Sequence, residues 1–161
     1  MPIEEQISAS IYEWAEVNAD KMEILYQFKG GWEIWAQCEI ALFLYNKFTF
    51  HYNIPAPREE KVYGNGQRCD LYIPFSENQK MIMELKCFSI QNEQNFFKNL
   101  RNDYLKLSRL PRRHTNDLKI SIGLFPPVNE TKWDPDEMAF VKGHYDILPL
   151  QNNMNLAWCV I

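Results

Sequence analysis

Asp70, Glu84 and Lys86 are the residues whose types and spacing could do chemistry. They lie in Arg68-Cys69-Asp70-Leu71-Tyr72-Ile73 and in Lys80-Met81-Ile82-Met83-Glu84-Leu85-Lys86. Both runs alternate apolar and polar residues, the period of a half-buried strand. The intervening Pro74-Phe75-Ser76-Glu77-Asn78-Gln79 has the composition of a hairpin loop. A hairpin symmetric about Glu77 pairs residues whose numbers sum to 154, which sets Asp70 opposite Glu84. One face of this ribbon then holds Cys69, Leu71, Ile73, Met81, Met83 and Leu85, and the other gathers Arg68, Asp70, Glu84 and Lys86. Cross-strand Cβ atoms stand only about 4.5–5.5 Å apart. Two carboxylates that close repel unless a proton or a cation lies between them. The chemistry this calls for is a divalent metal with a lysine beside it.

The order Asp, thirteen intervening residues, then Glu-x-Lys resembles the core of the PD-(D/E)XK nuclease superfamily. The resemblance spans roughly the middle of the chain, from the helix around Glu39 to a helix ending near Leu110. It implies a restriction-endonuclease-like fold, a mixed central sheet flanked by helices. It also implies metal-dependent hydrolysis of nucleic-acid phosphodiesters, with DNA favoured over RNA. In that reading Asp70, Glu84, the Leu85 carbonyl and Glu39 hold Mg²⁺ or Mn²⁺, both hard cations that prefer oxygen ligands. Lys86 orients the attacking water or stabilises developing charge. Arg68 contacts phosphate or offsets the carboxylates. Cys69 stands where the superfamily's name has Pro, a position that the superfamily varies freely.

Two helices must position these groups. Trp32 to Phe48 runs without Gly or Pro, and Trp35, Cys38, Leu42 and Tyr45 trace an apolar face widened by Ile34, Ala41 and Leu44. Glu39 lies at the edge of that stripe, whereas Glu33, about 240° away around the helix, cannot share its face. A second helix runs from near Asn92 to about Leu110, where Pro111 stops it; Phe97, Leu100, Tyr104 and Leu107 form its buried side. From Lys98 to Lys119 there are seven basic residues against Asp103 and Asp117, an excess of five on a chain whose net charge is −4. Lys98, Arg101, Arg109, Arg112 and Arg113 therefore form a candidate stripe for nucleic acid, although a charge run is also commonly a solvated helix face.

The remaining segments suggest one α/β domain spanning 1–161, in the order α-α-β-β-β-α-β-(α)-β-β. Ile3 to Phe28 reads as one or two amphipathic helices, with Ile7, Ile11, Trp14 and Val17 or Asn18 on one face. Arg58 to Tyr63 is a candidate strand turned by Gly64-Asn65-Gly66 into the Asp70 strand. Leu118–Phe125, Asp146–Leu150 and Asn155–Ile161 are further strand candidates, with a short helix expected over Asp134–Val141 and Tyr52–Pro57 as a connection. No secretory signal or membrane-length apolar run is visible, so a cytoplasmic setting without membrane contact is expected. The scattered Cys38, Cys69, Cys87 and Cys159 suit reduced core thiols, and His51, His114 and His144 neighbour no nucleophile motif. A homodimer is implied if the protein cuts both strands, and a protein inhibitor if it is a toxin-type nuclease. Two other readings stay open: a nuclease-like domain without chemistry that binds a partner, as an immunity-type protein does, or an ordinary ion-paired ribbon on a solvated sheet face.

Overall fold

A computed structural model of the chain describes residues 1–29, 31–48 and 58–161. The expected Tyr52–Pro57 connection, His51 and Gly30 lie outside the described residues. Among the described residues four α-helices, α1 (Ile3–Leu25), α2 (Glu33–Phe48), α3 (Phe96–Ser108) and α4 (Pro135–His144), accompany five strands. These are β1 (Leu71–Pro74), β2 (Lys80–Cys87), β3 (Leu118–Phe125), β4 (Asp146–Pro149) and β5 (Asn155–Val160). They form one mixed sheet in the order β1-β2-β3-β5-β4, with β2 and β3 parallel and the other neighbours antiparallel. Helix α3 lies between the parallel pair in sequence, as a crossover between parallel strands requires.

The hairpin takes the register expected from its alternation: Leu71 pairs with Met83, Tyr72 with Ile82, Ile73 with Met81 and Pro74 with Lys80. Each pair sums to 154, and Asp70 lies one step beyond the Leu71–Met83 pair. The expected strand over Arg58–Tyr63 is reduced to a single bridge from Arg58 to Leu71. Glu59 adopts φ 61°, a left-handed conformation that breaks an extended run. Past that kink Val62 and Tyr63 turn inward, buried with Cys69, Ile82 and Leu107. Cys69 therefore joins this cluster rather than the Leu71–Met83 face on which alternation alone would put it.

The two sheet faces differ in composition. On one, Leu71, Ile73, Met81, Met83, Leu85, Ile120, Ile122, Leu124 and Leu156 pack with α1 and α2 in a largely apolar core. Helix α1 is a single helix that buries Ile7, Ile11, Trp14 and Asn18 and leaves Val17 outside. On the other face α3 and α4 pack through Phe96, Phe97, Leu100, Met138 and Val141, while Glu84 and Ser121 are also buried. The close seat of α3 depends on Gly123 of β3, the parallel partner of Lys86. A Cβ built there would lie 2.9 Å from a Leu100 methyl, closer than van der Waals contact allows.

Helix α2 corrects the sequence expectation. Its buried residues are Ala36, Gln37, Ile40, Ala41 and Leu44, while Ile34, Leu42 and Tyr45 are exposed. The alanines allow a closer approach than the bulky stripe would. Gln37 is satisfied there by Arg58, whose Nε and Nη2 donate to its Oε1 at 3.0 and 2.7 Å. Cys38 is likewise exposed rather than a core thiol.

Candidate functional site

The site forms where β1 stops and β2 continues alone on that side. In a longer hairpin the Leu85 N–H would find a strand partner; here it donates to Asp70 Oδ2 at 2.7 Å. Two residues on, the Cys87 N–H donates to Glu33 Oε2 at 3.0 Å. Two carboxylates thus satisfy backbone donors that would otherwise lack a ladder partner. Glu33 also takes Lys86 Nζ on Oε1 at 3.3 Å. The upstream helix does contribute a carboxylate, but it is Glu33 and not Glu39. No described hydrogen bond or ion pair joins Glu39 to Asp70, Glu84 or Lys86. The physical reason is the choice of α2 face, which turns Glu33, Gln37 and Ile40 inward.

Glu84 is only 2 % exposed. Its Oε1 accepts a hydrogen bond from the Tyr63 hydroxyl and pairs with Lys106 Nζ at 2.9 Å. Lys106 reaches on to Asp103 Oδ1 at 3.7 Å, and Asp103 Oδ2 lies 3.9 Å from Lys86. That Oδ2 is buried with no hydrogen-bond partner. The ammonium of Lys106 also sits 5.0 Å above the Tyr63 ring. Tyr63, Asp103 and Lys106 were not among the expected site residues. In the sequence Asp103 and Lys106 count only as members of a basic run, and their i, i+3 spacing is the local signal that places them on one face of α3. Glu84 is buried under α3, which overturns the solvated ion-paired ribbon.

The electrostatics follow from this crowding. Burial, then the charges of Asp70 and Asp103, push Glu84 up to about 8, against the pull of Lys106 and Tyr63. Burial likewise raises Asp103 to about 6 although Lys86 and Lys106 oppose it. Glu33 is raised by burial, with Lys86 and the Cys87 N–H acting the other way. For Lys86 burial favours the neutral amine, but Asp103, Glu33 and Asp70 outweigh it and the net direction is upward. Lys106 also moves upward, burial being outweighed chiefly by Glu84. Tyr63 is raised by burial and by Glu84, so it keeps its proton and remains a donor. With every group ionised, Glu33, Asp70, Glu84 and Asp103 exceed Lys86 and Lys106 by two negative charges. A double positive charge would balance that excess, and Asp103 Oδ2 has spare capacity to accept. Carboxylate oxygens are the donors a hard divalent cation takes, but among the described residues no three His, Cys, Asp or Glu side chains converge as a metal cage.

The expected basic stripe divides in two. Arg101 is drawn toward α4, where its Nη1 lies 3.5 Å from Glu137 Oε1 and its guanidinium 5.1 Å from the Phe140 ring. Lys98 borders a small cavity there with Phe97, Trp133 and Glu137. Arg109, toward the other end of α3, instead lines an open groove beside Tyr63 and Lys106. Arg113 folds back, donating from Nη2 to the Val62 carbonyl at 3.3 Å and from Nε to His114 Nε2 at 3.0 Å. Arg68 and Arg112 are exposed. Packing of α4 against the side of α3 that carries Arg101 and Tyr104 causes the division. His114 is buried, its Nδ1 2.7 Å from Asp117 Oδ2, and ties the basic loop to the start of β3.

Among the described residues no helix is long and apolar enough to cross a membrane. Compared with protein-family models, curated proteins and solved structures, the chain finds no match.

Proposed function

We infer that this protein is a Mg²⁺- or Mn²⁺-dependent nuclease on a restriction-endonuclease-like fold, hydrolysing phosphodiesters of nucleic acid, with DNA favoured. The observation that supports this most is Asp70 meeting β2 at Leu85 while Glu84 and Lys86 flank that residue. Asp70, Glu84 and the Leu85 carbonyl would hold the metal, with Glu33 or Asp103 supplying a further oxygen. The chemistry supplied by the bound ion is acidification of a water and neutralisation of charge on the phosphoryl group.

The chain's own groups do the rest. Lys86, held charged by Glu33 and Asp103, is placed to orient the nucleophilic water or to stabilise developing negative charge. Its raised pKa makes it a poor base, so a proton leaves by another route. Lys106 and Tyr63 fix the Glu84 carboxylate in one orientation, which limits the reorganisation needed during reaction. Arg109, on the groove beside Lys106, offers a phosphate contact.

The second reading, a nuclease-like domain that only binds a partner, draws support from Glu84 Oε1 already being met by both Tyr63 and Lys106. One experiment separates the two. Wild type and Glu84→Ala are incubated with plasmid, linear and single-stranded DNA and tRNA, each with Mg²⁺, Mn²⁺ or EDTA. Metal-dependent cleavage that vanishes in the variant is expected. Failure to cut any substrate, with no rise in melting temperature on adding Mn²⁺, would favour the binding protein; a real metal site stabilises the folded state by linkage.

A further inference from the structure

Tyr63 and Lys106, the two groups that hold Glu84, also form one wall of a groove of about 530 Å³. Gly64, Asn65, Gln67, Asn102, Leu105 and Arg109 complete its lining. Two lysine or arginine side chains and no carboxylate line it, in a chain whose net charge is −4. Lys106 is already paired with Glu84 and Asp103, so Arg109 is the cation this lining offers to a ligand. Three of its lining residues are amides. Asn65 is spent within the turn, donating to Gln67 Oε1 at 3.0 Å and accepting from the Gln67 N–H at 3.1 Å. That arrangement fixes the Gln67 side chain through its oxygen and directs its amide donors elsewhere. Asn102 is exposed on α3, one turn before Lys106 and two before Arg109, so all three lie on the groove side of the helix.

A ligand suited to this lining has an anionic group for Arg109 and a planar edge of hydrogen-bond donors and acceptors for the amides. A nucleotide has both. Side-chain amides make bidentate contacts with base edges, preferentially adenine, whereas an arginine on phosphate adds affinity without reading sequence. The volume falls within the range of about 300–1,000 Å³ usual for small-molecule sites, enough for one nucleotide.

We propose that this groove is the subsite for the nucleotide adjoining the scissile phosphodiester, with Arg109 on its phosphate and the Gln67 and Asn102 amides on its base. This rests on the nuclease reading of the Glu84 centre. It makes the protein a reader of the base beside the cut. Arg109, Gln67 and Asn102 are exposed and contribute nothing to the core, so their substitution leaves the fold in place.

The test uses the full chain and fluorescein-labelled single-stranded 12-mers of dA, dT and dC. Anisotropy is measured with Glu84→Gln protein across a salt series, and cleavage positions on mixed-sequence DNA with otherwise wild-type protein. Arg109→Ala should weaken binding of all oligomers several-fold and shrink the salt slope by about 1. The double variant Gln67→Ala/Asn102→Ala should leave the salt slope unchanged and erase the difference between dA and the pyrimidine oligomers. It should also flatten the base preference beside the cut. Cleavage by wild type with none of these changes would overturn the groove while the nuclease reading stands. Base-dependent binding lost in these variants, without cleavage by any preparation, would support the groove as a nucleotide site and overturn the nuclease reading. Absence of both binding and cleavage would overturn both.

Discussion

Met83 and Glu84 are neighbours on one strand, both almost fully buried, and they belong to opposite worlds. Met83 faces α1 and α2 in a core dominated by apolar side chains, with no buried charged group among the described residues of those helices. Glu84 faces α3, beneath Tyr63 and Lys106, among charged groups that burial makes costly. The first face is organised by apolar area removed from water, and its contacts are interchangeable in kind. The second is organised by specific donors and acceptors, and removing one member leaves another without a partner. A fold seeking stability alone would have no reason to bury Glu84 and Asp103, and half-bury Glu33 and Asp70, beside two lysines. The placement of this cost at the open end of β2 is what marks the site.

The contrast can be broken at residues 83 and 84 themselves. Glu84→Ala, like Asp70→Ala, should abolish metal-dependent cleavage while leaving the circular dichroism spectrum intact. Met83→Ala should do the reverse, losing about 2–5 kcal/mol of stability in denaturant unfolding with turnover per folded molecule retained. Retention of wild-type cleavage in Glu84→Ala would remove the polar face from the chemistry. Next in size, Lys86→Ala should lower turnover about 10²–10³-fold, the usual cost of losing one preorganised charge. The metal concentration giving half activity should change far less.

A finer distinction separates the two carboxylates of α2. Glu33→Gln should weaken apparent Mn²⁺ affinity by about 10–100-fold, as loss of an outer partner of a metal site typically does. Glu39→Gln should behave as wild type, and the reverse ranking would restore Glu39 to the site. The smallest effect is one of pH. Glu84, raised from 4.5 to about 8, stabilises the metal-free fold fully below its ordinary value. That contribution is lost as pH rises through about 8. Asp103, raised from 3.8 to about 6, acts in the same direction at lower pH. Between pH 5 and 8.5 in EDTA the melting temperature of wild type should therefore fall more than that of Glu84→Gln. Each 1 kcal/mol is worth about 2–4 °C in a protein of this size. Equal falls would show that Glu84 pays no charge penalty in the folded protein.

Much of this architecture was legible from local pattern. Leu118–Phe125 was expected as a strand and is one to the residue, because an apolar run ends at Pro126. Pro135, at the first turn of α4, sits beside Asp134, whose side chain accepts from the Asp136 N–H. Such start signals act over a few residues. The 58–63 strand failed because a left-handed Glu59 leaves no mark in composition.

What the sequence by itself determined is the ribbon: a period of two with a polar loop at its centre admits one register that keeps Leu71, Ile73, Met81 and Met83 together. Asp70, Glu84 and Lys86 follow from it. Only the tertiary structure decided who surrounds them. Helix α2 has two plausible faces, and packing chose the alanine-rich one, which brought Glu33 to β2 and left Leu42 and Tyr45 in solvent. Helix α3 reads as basic and amphipathic along its length, yet Gly123 lets it sit close enough for Asp103 and Lys106 to meet the strand. Strand register is settled by alternation within a dozen residues. The facing of one element on another depends on volumes contributed from distant parts of the chain, and no local period encodes them.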